Sequence, residues 1–368
     1  MRFKAVSVLG GLALLALGIA TSNAKETISI GAVVPLSGGG ITQGEDQRRG
    51  IELAVEKINA DGGVLGKDFR VIIEDSGGRP QSTLDAAKKL VSVDNVPIVI
   101  GEYSSGNTIP LGEYLLQAGR VHMNVGSSSG KLRNLGDGSF SLIGLDNVSS
   151  GFAAEDAIKM GYKKAAFLFP NNAYGQGVNA QLKKAFEAAG GEVVGATLFT
   201  EGQTSYRREL QQLARYKPDI YIYSTYGKDA TAINREAYEL GLTKTPWYGI
   251  YLLMCVSDSP KEVVEGHIGM DLVAIGDNGK SFEEAYRAKH NEGFKSTFPG
   301  FAYDAVLMAA KAIEMAGSTD PKAIEAALMK VGQGYLGATG SITFDSDQMR
   351  EKQPYLRAVY KDGKLESR

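Results

Sequence analysis

The chain has 368 residues, with 40 lysines and arginines against 42 aspartates and glutamates, so its formal net charge is −2 at pH 7. This balance excludes the general electrostatic attraction to nucleic acid or anionic lipid that a strongly basic chain has. The length is too great for one compact core and indicates two domains. The single cysteine, Cys255, excludes an internal disulfide and argues against a structural zinc site.

The N-terminus has the pattern of an export signal. Arg2 and Lys4 precede an apolar run over residues 6–19, and Ser22 and Ala24 supply small side chains before a cleavage point. The run is too short to cross about 30 Å of hydrocarbon comfortably. We therefore predict a signal peptide over residues 1–24. The product should be free in solution after export, and a bacterial periplasm is the compartment that fits best.

From residue 27 onwards, apolar runs typical of strands alternate with segments of helical spacing. The first series predicts strands over 27–34, 69–74, 96–101 and 121–125, and helices over 47–58, 82–93 and 108–118. The second predicts helices over 150–160, 177–189, 206–216 and 230–240, and strands over 164–169, 193–199, 219–224, 247–250 and 267–273. Helices over 281–290, 301–315 and 321–329 follow, and strands over 341–344 and 355–360 close the chain. This alternation predicts an α/β protein with two doubly wound parallel sheets.

Two such sheets could also be two nucleotide-binding halves of an enzyme. The glycines at 38–40 lack the G-x-G-x-x-G spacing, and Gly175 and Gly177 form an equally incomplete motif. No phosphate-binding G-x-x-x-x-G-K-[ST] motif occurs, and we interpret these glycines as turns. Ligands of open α/β sheets bind beyond the carboxyl ends of the strands, so two facing sheets predict a cleft there.

Several motifs carry a family resemblance, and the most specific is Ile58-Asn59-Ala60-Asp61-Gly62-Gly63-Val64-Leu65-Gly66. The others are Ile30-Gly31-Ala32, Pro35-Leu36-Ser37-Gly38, Gly50-Ile51-Glu52-Leu53-Ala54, Val99-Ile100-Gly101 with Ser104-Ser105, Asn171-Asn172-Ala173-Tyr174-Gly175, and residues 300–305. In these motifs the chain resembles the type I periplasmic binding proteins, and the resemblance extends over residues 27–360. Within that family it resembles the leucine/isoleucine/valine-binding proteins that serve ABC importers.

The resemblance implies two lobes joined by a three-stranded hinge, which close on a ligand like a Venus flytrap. Crossings are expected near Leu145-Asp146, residues 274–276 and residues 350–353. Lobe I is then 25–145 plus 276–350, and lobe II is 146–275 plus 354–368. A ligand that touches both lobes favours the closed state through its differential affinity.

The resemblance also implies the ligand-binding residues. The positions that match are Ser105, Gly126, Ser127 and Ser128 for a carboxylate, and Tyr174 and Tyr226 for aromatic walls. Tyr103 lies beside the first group, Tyr251 follows a lobe II strand, and Asp146 matches a hinge aspartate near the ligand amine. Hydroxyls and N–H groups beside helix N-termini suit a negative oxygen. A plain polar turn at 127–130 and a helix-capping role for Asp146 remain open alternatives.

One departure from the family bears on the ligand. Amino-acid receptors of this group commonly carry a glutamate where this chain has Ile250 or Tyr251, and no residue between Pro246 and Ser257 is acidic. A buried ammonium needs a compensating charge. The implied ligand is a solute of the hydrophobic amino acid type, and an aromatic acid, a 2-oxo acid or an amide stays open.

Catalytic and metal chemistry have little support. His122, His267 and His290 show no metal-ligand pairing, and neither a G-x-S-x-G nor a C-x-x-C motif occurs. We expect no enzyme activity, no cofactor and no metal. The expected partners are a small solute and the membrane permease subunits of an ABC importer, with the receptor itself a monomer. A ligand sensor of the same fold, and an oxidoreductase or ligase, are the competing hypotheses.

Overall fold

The structure is a computed structural model that describes Met1, residues 26–272 and residues 275–367. The predicted cleavage site and the rest of the signal peptide lie outside the described residues, as do residues 273 and 274 near the second predicted crossing. Among the described residues, no helix has both the length and the apolar character that a membrane span requires.

The first sheet has five parallel strands in the order β2-β1-β3-β4-β5. Its strands are β1 (Thr27–Val34), β2 (Asp68–Asp75), β3 (Ile98–Gly101), β4 (Val121–Asn124) and β5 (Ser139–Ser141). The helices that pack on it come from both ends of the chain: α1 (Ile41–Ala60), α2 (Pro80–Ser92), α3 (Ser105–Gln117), α10 (Gly276–His290), α11 (Pro299–Ala316) and α12 (Pro321–Val331). This part of the chain corresponds to the predicted lobe I.

The second sheet has seven strands in the order β14-β13-β10-β9-β8-β6-β7. Its strands are β6 (Lys164–Pro170), β7 (Glu192–Phe199), β8 (Ile220–Tyr223), β9 (Trp247–Ile250), β10 (Ile268–Asp271), β13 (Leu356–Lys361) and β14 (Lys364–Ser367). Its helices are α4 (Asp146–Lys159), α5 (Ala173–Ala188), α6 (Arg207–Ala214), α7 (Gly227–Glu239), α8 (Leu252–Val256) and α9 (Lys261–Val264). Strands β6 to β10 are parallel, whereas β13 and β14 pair antiparallel at one edge. A separate hairpin pairs β11 (Gln333–Gly337) with β12 (Gly340–Thr343).

The described residues confirm the two-lobed α/β fold, and each predicted strand and helix is present. Four helices begin four or more residues earlier than predicted, namely α1, α4, α5 and α10, and two others, α3 and α7, begin three residues earlier. Apolar spacing cannot detect a polar first turn, because that turn carries too few apolar residues to show the helical period. In α5, for example, Asn172 caps the helix by accepting a 3.0 Å hydrogen bond from the N–H of Gly175.

The elements that the sequence did not predict are all short. They are β5, α8, α9, β11 and β14, and none is longer than five residues. A run of that length carries too few residues to show a period. The central strands were easier to predict from the sequence. Every residue of β3, β4, β8 and β9 is buried, as expected for strands of a parallel sheet that is covered on both faces.

The three predicted crossings lie close together in space. Isolated β-bridges join Ser141 to Met349 and Ile275 to Thr339. Arg350 is buried there and donates hydrogen bonds to the backbone oxygens of Leu142, Thr339 and Ser341. We propose that these segments form the hinge, with the lobe boundaries given above.

Candidate ligand-binding site

A cavity lies between the two lobes, at the carboxyl ends of both parallel sheets. Lobe I contributes Tyr103, Ser104, Ser105, Gly126, Ser128 and Phe298, and lobe II contributes Tyr174, Tyr226, Tyr251 and Met254. The carboxyl ends of parallel strands are where such a site is expected.

The lobe I wall is polar and is built by the loops that follow β3 and β4. Ser105 is the first residue of α3, and its hydroxyl oxygen accepts a 2.7 Å hydrogen bond from Ser127 Oγ. Asn124, the last residue of β4, holds the second loop because its Oδ1 accepts from the N–H of Ser127 at 2.9 Å and its Nδ2 donates to Ser127 O at 2.6 Å. The Ser105 hydroxyl therefore keeps its own proton for a ligand.

Two backbone donors lie beside that hydroxyl. The N–H of Ser105 belongs to the first turn of α3, where helix geometry supplies no acceptor. Within the described ranges, no acceptor is found for the N–H of Ser128 either. Hydroxyl and N–H donors at the start of a helix form a site that favours an anionic oxygen.

The lobe II wall is aromatic, and its rings stand at the starts of three helices. Tyr174 is the second residue of α5, Tyr226 precedes α7 and Tyr251 precedes α8. The phenol of Tyr174 donates to Ser224 Oγ at 2.9 Å, and the phenols of Tyr251 and Tyr355 lie 3.2 Å apart. Tyr251 adopts φ 58° and ψ 72°, a left-handed conformation that is strained for a bulky residue and is often found at ligand sites.

Aromatic rings from the two lobes meet over the cavity. The Tyr103 ring packs edge to face against Tyr226 of lobe II, with centroids 5.6 Å apart, and against Phe298 of lobe I at 5.5 Å. Tyr103 is only 7% exposed, and its hydroxyl has no hydrogen-bond partner among the described residues. A buried hydroxyl without a partner costs free energy, so this group is suited to bonding a ligand.

The four tyrosines of the cavity are neutral at physiological pH. Burial raises the pKa of Tyr103, Tyr174, Tyr226 and Tyr251 well above the ordinary value for a phenol. Each ring therefore combines an apolar face with a hydroxyl that can donate or accept a hydrogen bond.

Asp146 lies behind the cavity wall. Its Oδ1 accepts a 2.6 Å hydrogen bond from Ser128 Oγ, and its N–H donates to Ser128 O at 2.7 Å. Its Oδ2 faces Gly177 of α5 so closely that a Cβ on that glycine would lie 2.2 Å from the oxygen. Burial raises the pKa of Asp146 to about 8, so the carboxyl group is largely protonated near neutral pH.

Seven of the nine residues selected from the sequence line the cavity; Ser127 and Asp146 stand directly behind it. Ser104, Met254 and Phe298 complete the wall and were not selected. Ser104 adjoins a chosen residue and Met254 lies in the apolar stretch after Tyr251, so both had a weak sequence signal. Phe298 had none, because only the packing of α11 brings it back to the cavity.

The histidines lie apart from this site. His122 is buried in β4, with Nδ1 2.9 Å from Ser139 Oγ and Nε2 2.7 Å from Gly101 O, as expected for a core residue. Burial lowers the pKa of its imidazole to about 4. In the part of the chain that the structure describes, no group of three or more histidine, cysteine or acidic residues is arranged to hold a metal ion.

Comparison with known proteins identifies the family of this chain. A sequence model of the family described as periplasmic binding protein matches residues 27–364. The chain belongs to this family. The leucine-, isoleucine-, valine-, threonine- and alanine-binding protein of Pseudomonas aeruginosa is 27% identical over 333 residues, which cover 88% of this chain and 87% of that protein.

Solved structures of periplasmic binding proteins share the fold. The branched-chain amino acid transporter substrate-binding protein LivJ of Streptococcus pneumoniae, in complex with isoleucine, is 25% identical with a TM-score of 0.84, covering 93% of this chain and 98% of that one. A solute-binding protein of an ABC transporter from R. palustris, in complex with benzoate, is 18% identical with a TM-score of 0.82, covering 93% and 95%. These names describe solute binding, and the family predicted from sequence is confirmed.

Proposed function

We propose that this protein is an extracytoplasmic receptor that closes its two lobes around one small carboxylate and delivers it to the permease of an ABC importer. The cavity between the carboxyl ends of the two sheets carries this proposal, because residues from both lobes line it. A solute held there contacts both halves at once and so favours the closed state.

In this proposal the two walls of the cavity bind different parts of the solute. The Ser105 hydroxyl and the backbone N–H groups of Ser105 and Ser128 would hold the carboxylate. Tyr174, Tyr226 and Tyr251 would cover the apolar body of the solute from lobe II. Ser127 and Asp146 would act through Ser105 and Ser128, whose hydroxyls they orient.

Relatives support the transport role. Proteins named for leucine, isoleucine and valine binding match nearly the whole chain, and a structural neighbour is titled as a transporter substrate-binding protein. The predicted export signal supports a periplasmic location, and we propose that the receptor works there as a monomer. Related structures hold isoleucine in one case and benzoate in another, so the fold accommodates carboxylates both with and without an amine.

Thermal unfolding and solution scattering test the proposal together. The purified mature chain is mixed with small carboxylates, amino acids and amides at millimolar concentration. We expect at least one compound to raise the melting temperature and to reduce the radius of gyration with one-to-one stoichiometry. Failure of every compound to do either would refute the receptor function.

A further inference from the structure

Among the residues that the structure describes, no charged side chain lines the cavity. Of the ten lining residues, four are tyrosines, three are serines, and the others are Gly126, Met254 and Phe298. The position at which related amino-acid receptors carry an acid is occupied by Ile250, which is fully buried in β9, or by Tyr251, which presents a neutral phenol. The cavity therefore lacks a lining carboxylate to oppose a ligand ammonium.

Three acidic side chains lie near the cavity, and each is placed behind a lining residue. Ser128 Oγ donates to Asp146 at 2.6 Å, the N–H of Ser104 donates to Glu102 at 2.6 Å, and the phenol of Tyr226 donates to Glu201 at 2.8 Å. The remaining oxygen of Glu102 accepts from Ser76 Oγ, and that of Glu201 accepts from Asn172 Nδ2. The second oxygen of Asp146 faces Gly177 and is buried without a hydrogen-bond partner among the described residues. None of the three lines the space that the solute would occupy.

The hydrogen-bond donors of lobe I and the aromatic rings favour a solute with one anionic group and an apolar body. An anionic oxygen finds the Ser105 hydroxyl, two backbone N–H groups and the unpartnered hydroxyl of Tyr103. Met254, Phe298 and the tyrosine rings offer apolar surface to the rest of the molecule. An ammonium group placed among these rings would lose its hydration without gaining an ionised partner, which is costly.

We propose that the solute is an apolar monocarboxylate that carries no ammonium group. This inference rests on the proposed function, since it concerns the same cavity. It differs from the ligand implied by the family resemblance, in which a glutamate of lobe II would meet the amine. Here the carboxylate is the charged end of the solute and the aromatic walls enclose an uncharged body.

Matched pairs of ligands test the inference by calorimetry near neutral pH. The pairs are 4-methylpentanoate with leucine and 3-phenylpropanoate with phenylalanine; benzoate, 3-phenylpropanamide and glycine betaine complete the set. We expect each amine-free carboxylate that binds to bind at least about tenfold more tightly than its amino acid, because the ammonium of the amino acid would lose its hydration without gaining an ionised partner. The amide should lose a comparable factor because it lacks the negative oxygen.

The outcomes separate the two proposals. If leucine or phenylalanine binds as tightly as its deaminated partner, or if glycine betaine binds best, the inference is overturned while the receptor function stands. If no compound of any class binds, the receptor function fails with it.

A variant with an added acid gives a second test. Tyr251→Glu places a carboxylate in the wall, at one of the two positions where the family resemblance implies one, and Tyr251→Gln is its uncharged control. We expect the ratio of leucine to 4-methylpentanoate affinity to rise about tenfold in Tyr251→Glu relative to Tyr251→Gln. Equal ratios in the two folded variants would contradict the inference; if either variant does not fold, the ligand pairs on the natural protein decide.

Discussion

Thr42 Oγ1 donates a 2.8 Å hydrogen bond to Asp258 Oδ1, which joins the first turn of α1 in lobe I to the segment after α8 in lobe II. Nearby, Gly39 and Gly227 approach so closely that a Cβ on Gly227 would lie 2.4 Å from Gly39 O. These contacts join the two lobes beside the cavity, so we expect them to favour the closed state.

Removing this hydrogen bond should weaken ligand binding. Thr42→Val keeps the shape of the side chain but cannot donate, and a lost hydrogen bond of about 0.5–1.5 kcal/mol should lower affinity about threefold to tenfold. Calorimetry gives the affinity, and scattering should show a larger radius of gyration without ligand. Thr231→Val is the matched control, because Thr231 donates to Asp258 O within lobe II. Equal losses of affinity in both variants would contradict a role in closure.

Ser127→Ala should weaken binding while leaving the fold intact. The hydroxyl of Ser127 orients that of Ser105, so its loss should lower affinity about threefold to tenfold by removing one well-placed donor. Ser129→Ala is the control, since Ser129 accepts from the N–H of Lys131 and does not line the cavity. If Ser127→Ala instead lowers the melting temperature strongly with no selective loss of affinity, its assignment to the site is wrong.

Asp146 should make stability depend on pH. Its pKa is about 8 in the folded chain and about 3.9 in an unfolded one, so the folded chain holds a proton that the unfolded chain releases between these values. Its contribution to stability is fully present below about pH 4 and is lost as the pH rises towards 8.

The Asp146→Asn variant removes this dependence and retains an acceptor for Ser128. The melting temperature of the variant minus that of the natural protein should therefore increase from pH 5 to pH 8, because only the natural protein loses this contribution. Asp271 and Asp304, whose pKa values burial raises to about 6, titrate in both proteins and cancel in the comparison. A difference that stays constant over this range would show that Asp146 is ionised in the folded chain.

Arg350 should be essential for the stability of the hinge. Its guanidinium is buried and donates to three backbone oxygens, all of which Arg350→Met would leave without this partner. Each backbone oxygen left without a partner costs about 1 kcal/mol or more. We therefore expect a loss of about 3 kcal/mol in the free energy of unfolding, measured with denaturant. Arg235→Met on the exposed face of α7 is the control and should change stability little. Similar small losses in both would contradict the role of Arg350.

Much of the site could be predicted because each lining residue of lobe II follows directly on a strand that the sequence makes evident. Tyr226 comes three residues after the buried strand β8, and Tyr251 comes immediately after β9. Once two parallel sheets are predicted, the residues after their strands are known to lie at one edge. Phe298 follows no strand, and its place in the wall depends on how α11 packs against α1, where Gly50 allows close contact with Pro299.

The sequence by itself determined the two α/β lobes and the row of residues at the strand ends, because these depend on local periodicity and on residue type. The tertiary structure decided which of those residues face the solute. It placed Ser127 and Asp146 behind the wall and brought Tyr103 against Tyr226 across the cleft. Such choices depend on side-chain directions and on contacts between segments far apart in the chain, which no local pattern encodes.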